Sequence, residues 1–488
     1  METRRNGLKR ESYVLSVDVG TTSIRCHVYD KEAQIRGSCI TKVNLLYPEP
    51  GLVELDPEEL WRGFVKVVNG AVQDSGLQMR QMETLGISTQ RGTFTTWDRK
   101  TGVPFHNFIS WQDLRAVELV RSWNNSCTMK AIHGVMMVLH FLSKNKRFQA
   151  ASLIVFSTQH VTFRLAWALQ HWKQVCQAVA EGNCCFGTID TWLLYKLTKG
   201  RLYDSPFSIV SLCVRCLQLC WSEFLCCLVS LPLSILPKVL NTGLGFGIIN
   251  LLPLTLKPHT SVAGLYPVVG WKIGPEVVYL AEGNAADTGT AIKWAQELEL
   301  FSDVRETDAM ASSVANSDGV CFVPSFSGLQ VSAPLNDPKA CASFMGLKPS
   351  TTKSHLVRAI LESVAFRNKQ LYETMLRETH IPIRKIRADG GICTNDFVMQ
   401  LTADLFGRKV ARPIQHEMSC LGAAFVAGLG VGFWKSQEEL KKLQRTDRVF
   451  LPRNLYRMGD GGTEGEYTPI LQSWEQALKR SMNWYGNP

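Results

Sequence analysis

Two short apolar runs open the chain, Tyr13–Val19 and residues 25–29, with Gly20-Thr21-Thr22-Ser23 between them. Runs of this length on either side of a glycine turn predict a pair of strands. The period then lengthens. Asp56-Pro57-Glu58-Glu59 can open a helix, with Asp56 as the cap, Pro57 at the first helical position and Glu59 completing a capping box. Trp61, Phe64, Val67, Val68 and Val72 follow at helical spacing and predict a core-facing stripe. Residues 82–90 predict the next strand, and 191–197 a short helix. The second half repeats the alternation. A long helix starts at Ser354 and carries Leu356, Ile360, Val364 and Leu371; a strand follows at 384–388, then helices at 395–406 and 419–430, the last with a small-residue face. Strands alternating with helices predict α/β layers. Between the halves, residues 241–264 are rich in Gly, Pro and Leu and mark the natural boundary.

One stretch breaks the pattern. Residues 209–236 are apolar enough to suggest a membrane span, but Arg215, Gln218 and Glu223 interrupt them and Pro232 and Pro237 close them. Charges in the middle of a span are costly in lipid, so a buried or poorly formed helix is expected instead, and no span.

Composition narrows the class. At 488 residues and 45% hydrophobic, the chain can build two packed domains. Its net charge is +10, yet Lys and Arg are scattered, with no run denser than Lys441-Lys442 or Lys144-Asn145-Lys146-Arg147. Nucleic-acid binders gather such charge on one element, so no nucleic-acid partner is expected. The first ten residues are polar and lack the apolar core of a signal peptide. Fifteen cysteines without secretory context point to free thiols in a reducing, cytoplasmic setting. Cys213, Cys216, Cys220, Cys226 and Cys227 lie close together, but no nearby His or second CxxC completes a tetrahedral metal set.

Two constellations carry candidate chemistry. In Asp18-Val19-Gly20-Thr21-Thr22-Ser23-Ile24-Arg25 a buried strand ends in Asp and turns through Gly and three hydroxyls to an Arg. Gly lets the backbone approach an anion, the hydroxyls can donate, Arg25 neutralises charge, and Asp18 can hold Mg²⁺ directly or through water. No P-loop motif occurs. The second is Asp389-Gly390-Gly391-Ile392-Cys393-Thr394-Asn395, where two glycines between a strand and a helix leave room for a flat ring against the backbone. A helix N-terminus there also favours negative charge. Each alone reads equally as an ordinary turn.

Together and in order the motifs resemble the FGGY carbohydrate kinases, within the larger actin and sugar-kinase superfamily. The resemblance runs through Asp18-Val-Gly-Thr-Thr, Pro50-Gly51 to Asp56-Pro57, Gly86 to Arg91, Trp111-Gln112-Asp113 with Arg115, and Gly187-Thr-Ile-Asp-Thr-Trp192. It continues through Pro324-Ser-Phe-Ser-Gly328, Ala359 to Glu362, Gly390-Gly391 with Asn395, and Gly422-Ala-Ala with Ala427-Gly428. It thins over 125–181 and fails over 203–264.

The resemblance implies an α/β two-domain actin-like ATPase (ribonuclease H-like) fold, with the site in the interdomain cleft and the fold incomplete at the domain junction. It implies an N-terminal domain over 12–250, a C-terminal domain over 262–440 and a helical tail over 441–488. The implied activity is ATP-dependent phosphorylation of a polyol hydroxyl, glycerol to glycerol 3-phosphate, with ATP and Mg²⁺. Asp18 would serve the metal, and Gly20, Thr21, Thr22 and Arg25 the ATP phosphates. Gly289, Gly391 and Asn395 would border the nucleotide. Arg91 would face the polyol hydroxyls, with Trp111, Gln112 and Asp113 shaping the pocket floor. A homo-oligomer is left open.

The departures concern chemistry. Where the family follows the Arg matching Arg91 with a polyol-binding Glu, this chain has Gly92, a loss worth about 1.5–3 kcal/mol of polyol binding. The family's nucleotide-side Gln is matched by Lys293, and the loop from Gly328 to Pro334 is longer than the family's. Most consequential, the family's catalytic Asp-Gln pair and the Gly-Thr-Gly phosphate hairpin after it are absent: between Glu223 and Glu276 there is no Asp or Glu. General base catalysis is worth about 10²–10⁴-fold, and each lost set of preorganised donors about 10²–10³-fold more. An impaired kinase is expected, with a noncatalytic nucleotide-binding protein and a kinase for another polyol as rivals. Asp113, Asp204 and Asp287 are the carboxylates left to stand in as base.

Overall fold

The computed structural model describes residues 11–200, 214–215, 220–221, 223–237, 251–254, 261–263, 265–273, 276–283, 287–326, 328–329, 337, 339–383, 385–453 and 467–485. The opening hairpin forms as the apolar runs require. Strands Tyr13–Val19 and Ser23–Tyr29 pair antiparallel with Asp18 opposite Arg25, and Gly20 N–H closes the turn onto Ser23 C=O at 2.9 Å. Ile35–Lys42 adds a third antiparallel strand. The helix Pro57–Asp74 then crosses over and returns the chain as Met82–Thr89, parallel to the first strand. The sheet order is therefore Ile35–Lys42, Ser23–Tyr29, Tyr13–Val19, Met82–Thr89.

The crossover helix starts where its sequence says. Asp56 accepts hydrogen bonds from the N–H groups of Glu58 and Glu59, and Leu60, Phe64, Val67, Ala71 and Val72 are buried against the sheet. A second sheet stacks Glu54–Leu55, Phe108–Ile109, Phe94–Asp98 and Cys184–Thr188, closed by the helix Ile189–Thr198.

The second half is built around the long helix Lys353–Thr379, buried along most of its first four turns. It packs with Asp396–Phe406 over the small sheet Ile386–Arg387, Val410–Pro413 and Thr446–Phe450. Residues 441–488, expected as a helical tail, thus also supply a strand. The tail's helix Thr468–Ser481 buries Trp474, whose indole N–H donates to Phe322 C=O at 2.8 Å. The apolar segment 209–236 is not one helix in its described parts. It forms two-residue strands at Val214–Arg215 and Cys220–Trp221, a six-residue helix Glu223–Leu228 and a 3₁₀ turn Leu233–Ile235. Pro232 and Pro237 flank the last of these pieces, where no helix can continue through them. Among the described residues no helix is long and apolar enough to cross a membrane.

The halves meet through the helix Met418–Gly430. Its Cys420, Leu421, Ala424 and Phe425 pack with Val14, Tyr29 and Ala33 of the first sheet. The contact needs small residues on both sides: a Cβ at Gly86 would sit 2.3 Å from Ala423 O. Ser16 Oγ donates to Cys420 C=O at 2.6 Å across the same seam.

Candidate active site

The hairpin turn is wired to the loop that carries Arg91. Gln90 N–H donates to Val19 C=O at 2.7 Å, and its side-chain amide to Gly20 C=O at 3.2 Å. Thr21 Oγ1 and Thr93 Oγ1 both donate to Gln90 Oε1, at 3.3 and 3.2 Å. Trp111 Nε1 donates to Thr21 Oγ1 at 3.2 Å, while its backbone N–H donates to Thr93 Oγ1 at 3.1 Å. Gly20, Thr21, Arg91 and Trp111 therefore belong to one constellation, with Thr22 exposed at the turn. Gln90 joins them; it lies inside the Gly86 to Arg91 motif, which by itself assigns it no role.

From the other half, Glu417 forms an ion pair with Arg25. Gly390 N–H bonds to His416 C=O at 3.0 Å, so the Gly390–Gly391 turn is anchored one residue from that carboxylate. A Cβ at Gly390 or Gly391 would meet nothing within 4 Å. The two glycine motifs thus face a common region with open space at the second. Burial pushes the Asp18 carboxyl up, and Glu417 pushes the same way; the Ser88 hydroxyl and Arg25 oppose them. Asp389 is pushed up to about 6 by burial, with Arg387 opposing and Glu417 adding to the rise. Glu417, Asp389 and Ser88 complete the site's electrostatics. Asp389 stood in the quoted motif, but nothing local marked Glu417, which depends on a pairing 392 residues distant in sequence.

Among the described residues no cluster of three or more His, Cys, Asp or Glu could hold a metal. Mg²⁺ is commonly held by one or two carboxylates, with waters and substrate phosphates completing its octahedron. Asp18, at the end of the first strand beside the Gly20–Thr22 turn, suits that mode.

Arg91 is already engaged. Its guanidinium meets Glu282 of the strand Glu276–Glu282 in a bidentate pair, Nη1 to Oε2 at 2.9 Å and Nη2 to Oε1 at 2.5 Å. Glu282 is buried and Arg91 half-buried. Gly92 follows with φ +76°, a conformation L side chains rarely adopt, so a Glu at this position would be strained. Gly92 C=O accepts from Arg164 Nη2 at 2.7 Å. Arg164 is fully buried and donates also to the carbonyls of Thr158, Ile109, Ser110 and Gln159. Burial lowers its pKa to about 9. It ties the loops bearing Arg91 and Trp111 into one unit, and no motif announced it.

Other expected site residues are engaged in structural contacts or stand exposed. Asp113 does not line a pocket floor: it is fully buried, accepts from Val53 N–H at 2.7 Å and is clamped by Arg115, which also reaches Glu54. Its oxygens hold the turn. Asn395 is likewise consumed locally. It caps the helix Asp396–Phe406 by accepting from Val398 N–H, and its amide donates to Thr307 Oγ1 at 3.1 Å. Gly289 is exposed in the first turn of Thr288–Glu297, and Lys293 on that helix pairs with Glu297 at 3.6 Å. Of the stand-in carboxylates, Asp113 is taken up as above, Asp287 lies in the field of buried Arg367, and Asp204 falls outside the described residues. So does most of the expected domain boundary and of the lengthened 328–334 loop.

Residues 13–252 match the model of the FGGY family of carbohydrate kinases, N-terminal domain, and residues 240–431 that of its C-terminal domain. A Danio rerio protein named glycerol kinase 5 is 65% identical over the whole of both chains, and a human protein of that name 53% identical over 99% of this chain and 98% of its own. Glycerol kinase 2 of Thermotoga maritima is 31% identical over 97% of this chain and 99% of its own. Among solved structures, Plasmodium falciparum glycerol kinase with ADP superposes at a TM-score of 0.76, with 25% identity, covering 96% of this chain and 98% of its own. The alignment with the Danio rerio protein spans 533 positions, 45 more than this chain's 488 residues, so at least that many have no counterpart here.

Proposed function

The chain belongs to the FGGY family of carbohydrate kinases, and from that premise we propose that it binds ATP and Mg²⁺ in the cleft between its halves and is a glycerol-kinase-like phosphotransferase of much reduced activity. The proposal keeps the division into domains over 12–250 and 262–440 and a tail over 441–488. The observation that carries it is the pair of glycine turns, one beside Asp18 and one beside Asp389, brought to a common region by the Arg25–Glu417 ion pair. The ATP phosphates would lie on the Gly20–Thr22 backbone and hydroxyls, with Arg25 as the counter-charge. A Mg²⁺ ion at Asp18 would neutralise phosphate charge. The nucleoside would lie over Gly390–Gly391, where the backbone leaves space.

The polyol side is weaker. Arg91 would orient glycerol or a related polyol, but its guanidinium is paired with Glu282. Glu282 is a carboxylate at the place where Arg91 would hold a hydroxyl, and a salt-bridged carboxylate is a poor proton acceptor. Two losses would therefore act on the same step: the carboxylate beside Arg91 is engaged, and the Gly-Thr-Gly phosphate hairpin expected from the resemblance does not occur in the sequence.

The test is glycerol 3-phosphate formation from Mg-ATP and glycerol, followed by mass spectrometry on protein that melts cooperatively. Slow turnover supports the proposal; turnover equal to that of the Danio rerio relative, measured alongside, would sink the claim of impairment. A second reading, nucleotide binding without catalysis, is favoured by the 45 or more absent positions. Saturable stabilisation by Mg-ATP with no product would select it, and absence of any Mg-ATP effect would dispose of both.

A further inference from the structure

We propose that the helix Cys127–Ser143 is a docking surface for an anionic lipid bilayer, lying in the interface plane rather than crossing it. A surface helix of a globular protein turns its apolar side inward. This one has such an inward side, with Met129 buried and Ile132 packed on the core, but is apolar on its outer side as well. Of its seventeen residues only Met129 is buried, while Val135, Met137, Val138, Phe141 and Leu142 are exposed, Phe141 by 70% and Leu142 by 72%. At 100° per residue these five fall on one arc roughly 160° wide.

The surrounding structure holds that arc outward. Ser126 caps the helix by accepting from Met129 N–H at 3.1 Å. Asn124 exchanges two hydrogen bonds with the Phe156 backbone, at 2.9 and 3.0 Å. His133 Nε2 meets Ile154 C=O at 2.9 Å, which sets exposed Leu153, Ile154 and Val155 beside the helix and widens the patch.

Charge decides what covers it. From residue 119 to 180 there is no Asp or Glu, against seven Lys and Arg. Lys130, Lys144, Lys146 and Arg147 are exposed around the patch and have no acidic partner among the described residues. Lys144 lies over the Phe141 ring at 4.6 Å, as a cation does when it rims an apolar surface. A second copy of this chain docked face to face would bring these cations against their own images with no acid to neutralise them. A bilayer carrying anionic headgroups satisfies both parts: the apolar arc enters the headgroup boundary by about 5–10 Å and the basic rim meets the phosphates.

The experiment is flotation of the full chain with vesicles of phosphatidylcholine alone and with added phosphatidylserine. Binding to the second and not the first, weakening as salt shortens electrostatic reach, is expected. Phe141→Ser with Leu142→Ser should abolish it, and Lys144→Gln, Lys146→Gln, Arg147→Gln together should weaken it on the order of a hundredfold, about fivefold per cation. All five side chains are exposed, so cooperative melting should be unchanged and reports folding directly. No partition of the wild-type chain onto the anionic vesicles, or partition undiminished in Phe141→Ser/Leu142→Ser, overturns the proposal. A homodimer lost in that variant, without vesicle binding, also overturns it and assigns the face to a second copy.

Discussion

Replacing Glu282 tests whether the polyol-side arginine is bound to its own protein. The pair is bidentate and the acid is buried, so removing one partner strands the other. Breaking such a pair costs about 3–5 kcal/mol, because an uncompensated charge remains. Arg91 is 28% exposed on its side chain, which lets water take part of its field and places the expected loss for Glu282→Gln at or below the low end, about 2–3 kcal/mol. Arg91→Met should cost a similar amount, since the Glu282 carboxylate is the more deeply buried partner. The double variant Arg91→Met/Glu282→Gln leaves neither charge and should cost about 2–3 kcal/mol, no more than either single change, giving a coupling of about 2–3 kcal/mol. Urea unfolding followed by tryptophan fluorescence measures all four corners. Coupling below about 0.5 kcal/mol would refute the reasoning, because the two groups would then not depend on each other. The same variants separate structure from function: Glu282→Gln should increase any protection by glycerol against unfolding if Arg91 is the polyol contact.

Three further outcomes follow from other parts of the molecule. Gly86→Ala forces a methyl toward Ala423 O and must part the first sheet from the Met418–Gly430 helix; a loss of about 3 kcal/mol or more is expected in urea unfolding, and a neutral result would deny the close approach. Asp389→Asn removes a carboxyl whose pKa of about 6 lies above its unfolded value. The raised value means the carboxylate destabilises the fold increasingly as pH rises from about 4 to 6. The variant should therefore be more stable than wild type at pH 7.5, by at most about 3 kcal/mol, and equal to it below pH 4; a lower melting temperature at pH 7.5 would contradict this. His106 and His160 are depressed to about 4 by burial, so stability should fall as pH drops from about 6.5 to 4, by up to about 1.4 kcal/mol per pH unit for each. His106→Phe and His160→Phe should flatten that slope, as followed by melting temperature against pH.

The elements that could be read in the chain were those whose signals are local. Asp56 and Pro57 fix a helix start whatever lies around them, and the helices beginning at Lys353 and Asp396 came within a residue of their expected starts. The hairpin from Tyr13 to Tyr29 was equally legible because glycine and apolar runs suffice to form it. What stayed hidden were groups whose roles depend on partners far along the chain. Glu282 is unremarkable in sequence and becomes decisive only when its strand lies against Arg91, 191 residues away. Arg164 bonds carbonyls from three separate loops, which no spacing rule anticipates. Asp113 and Asn395 show the converse. Their motif positions marked them for the site, but each is engaged by one neighbour in its own turn or helix cap and by one partner far along the chain, Val53 for Asp113 and Thr307 for Asn395.

The same distinction bears on why a chain with this gap keeps a site at all. The Gly20–Thr22 turn, Gln90 and Trp111 are held by contacts within the first half, and the Gly390 turn by His416 within the second. Their alignment comes from the Met418–Gly430 helix, seated on the first sheet by Ser16 and the Gly86 notch, and from Arg25–Glu417. None of these contacts uses residues between 201 and 275. The loss of chemistry proposed for that stretch would leave in place the joint that brings the nucleotide-side elements together, so nucleotide affinity and phosphoryl transfer should separate. Mg-ATP should stabilise this chain nearly as well as it stabilises the Danio rerio relative, while its turnover falls by several orders of magnitude. Comparable losses in both would mean that the absent segment also shapes the nucleotide side, and that the seam described here does not suffice to form it.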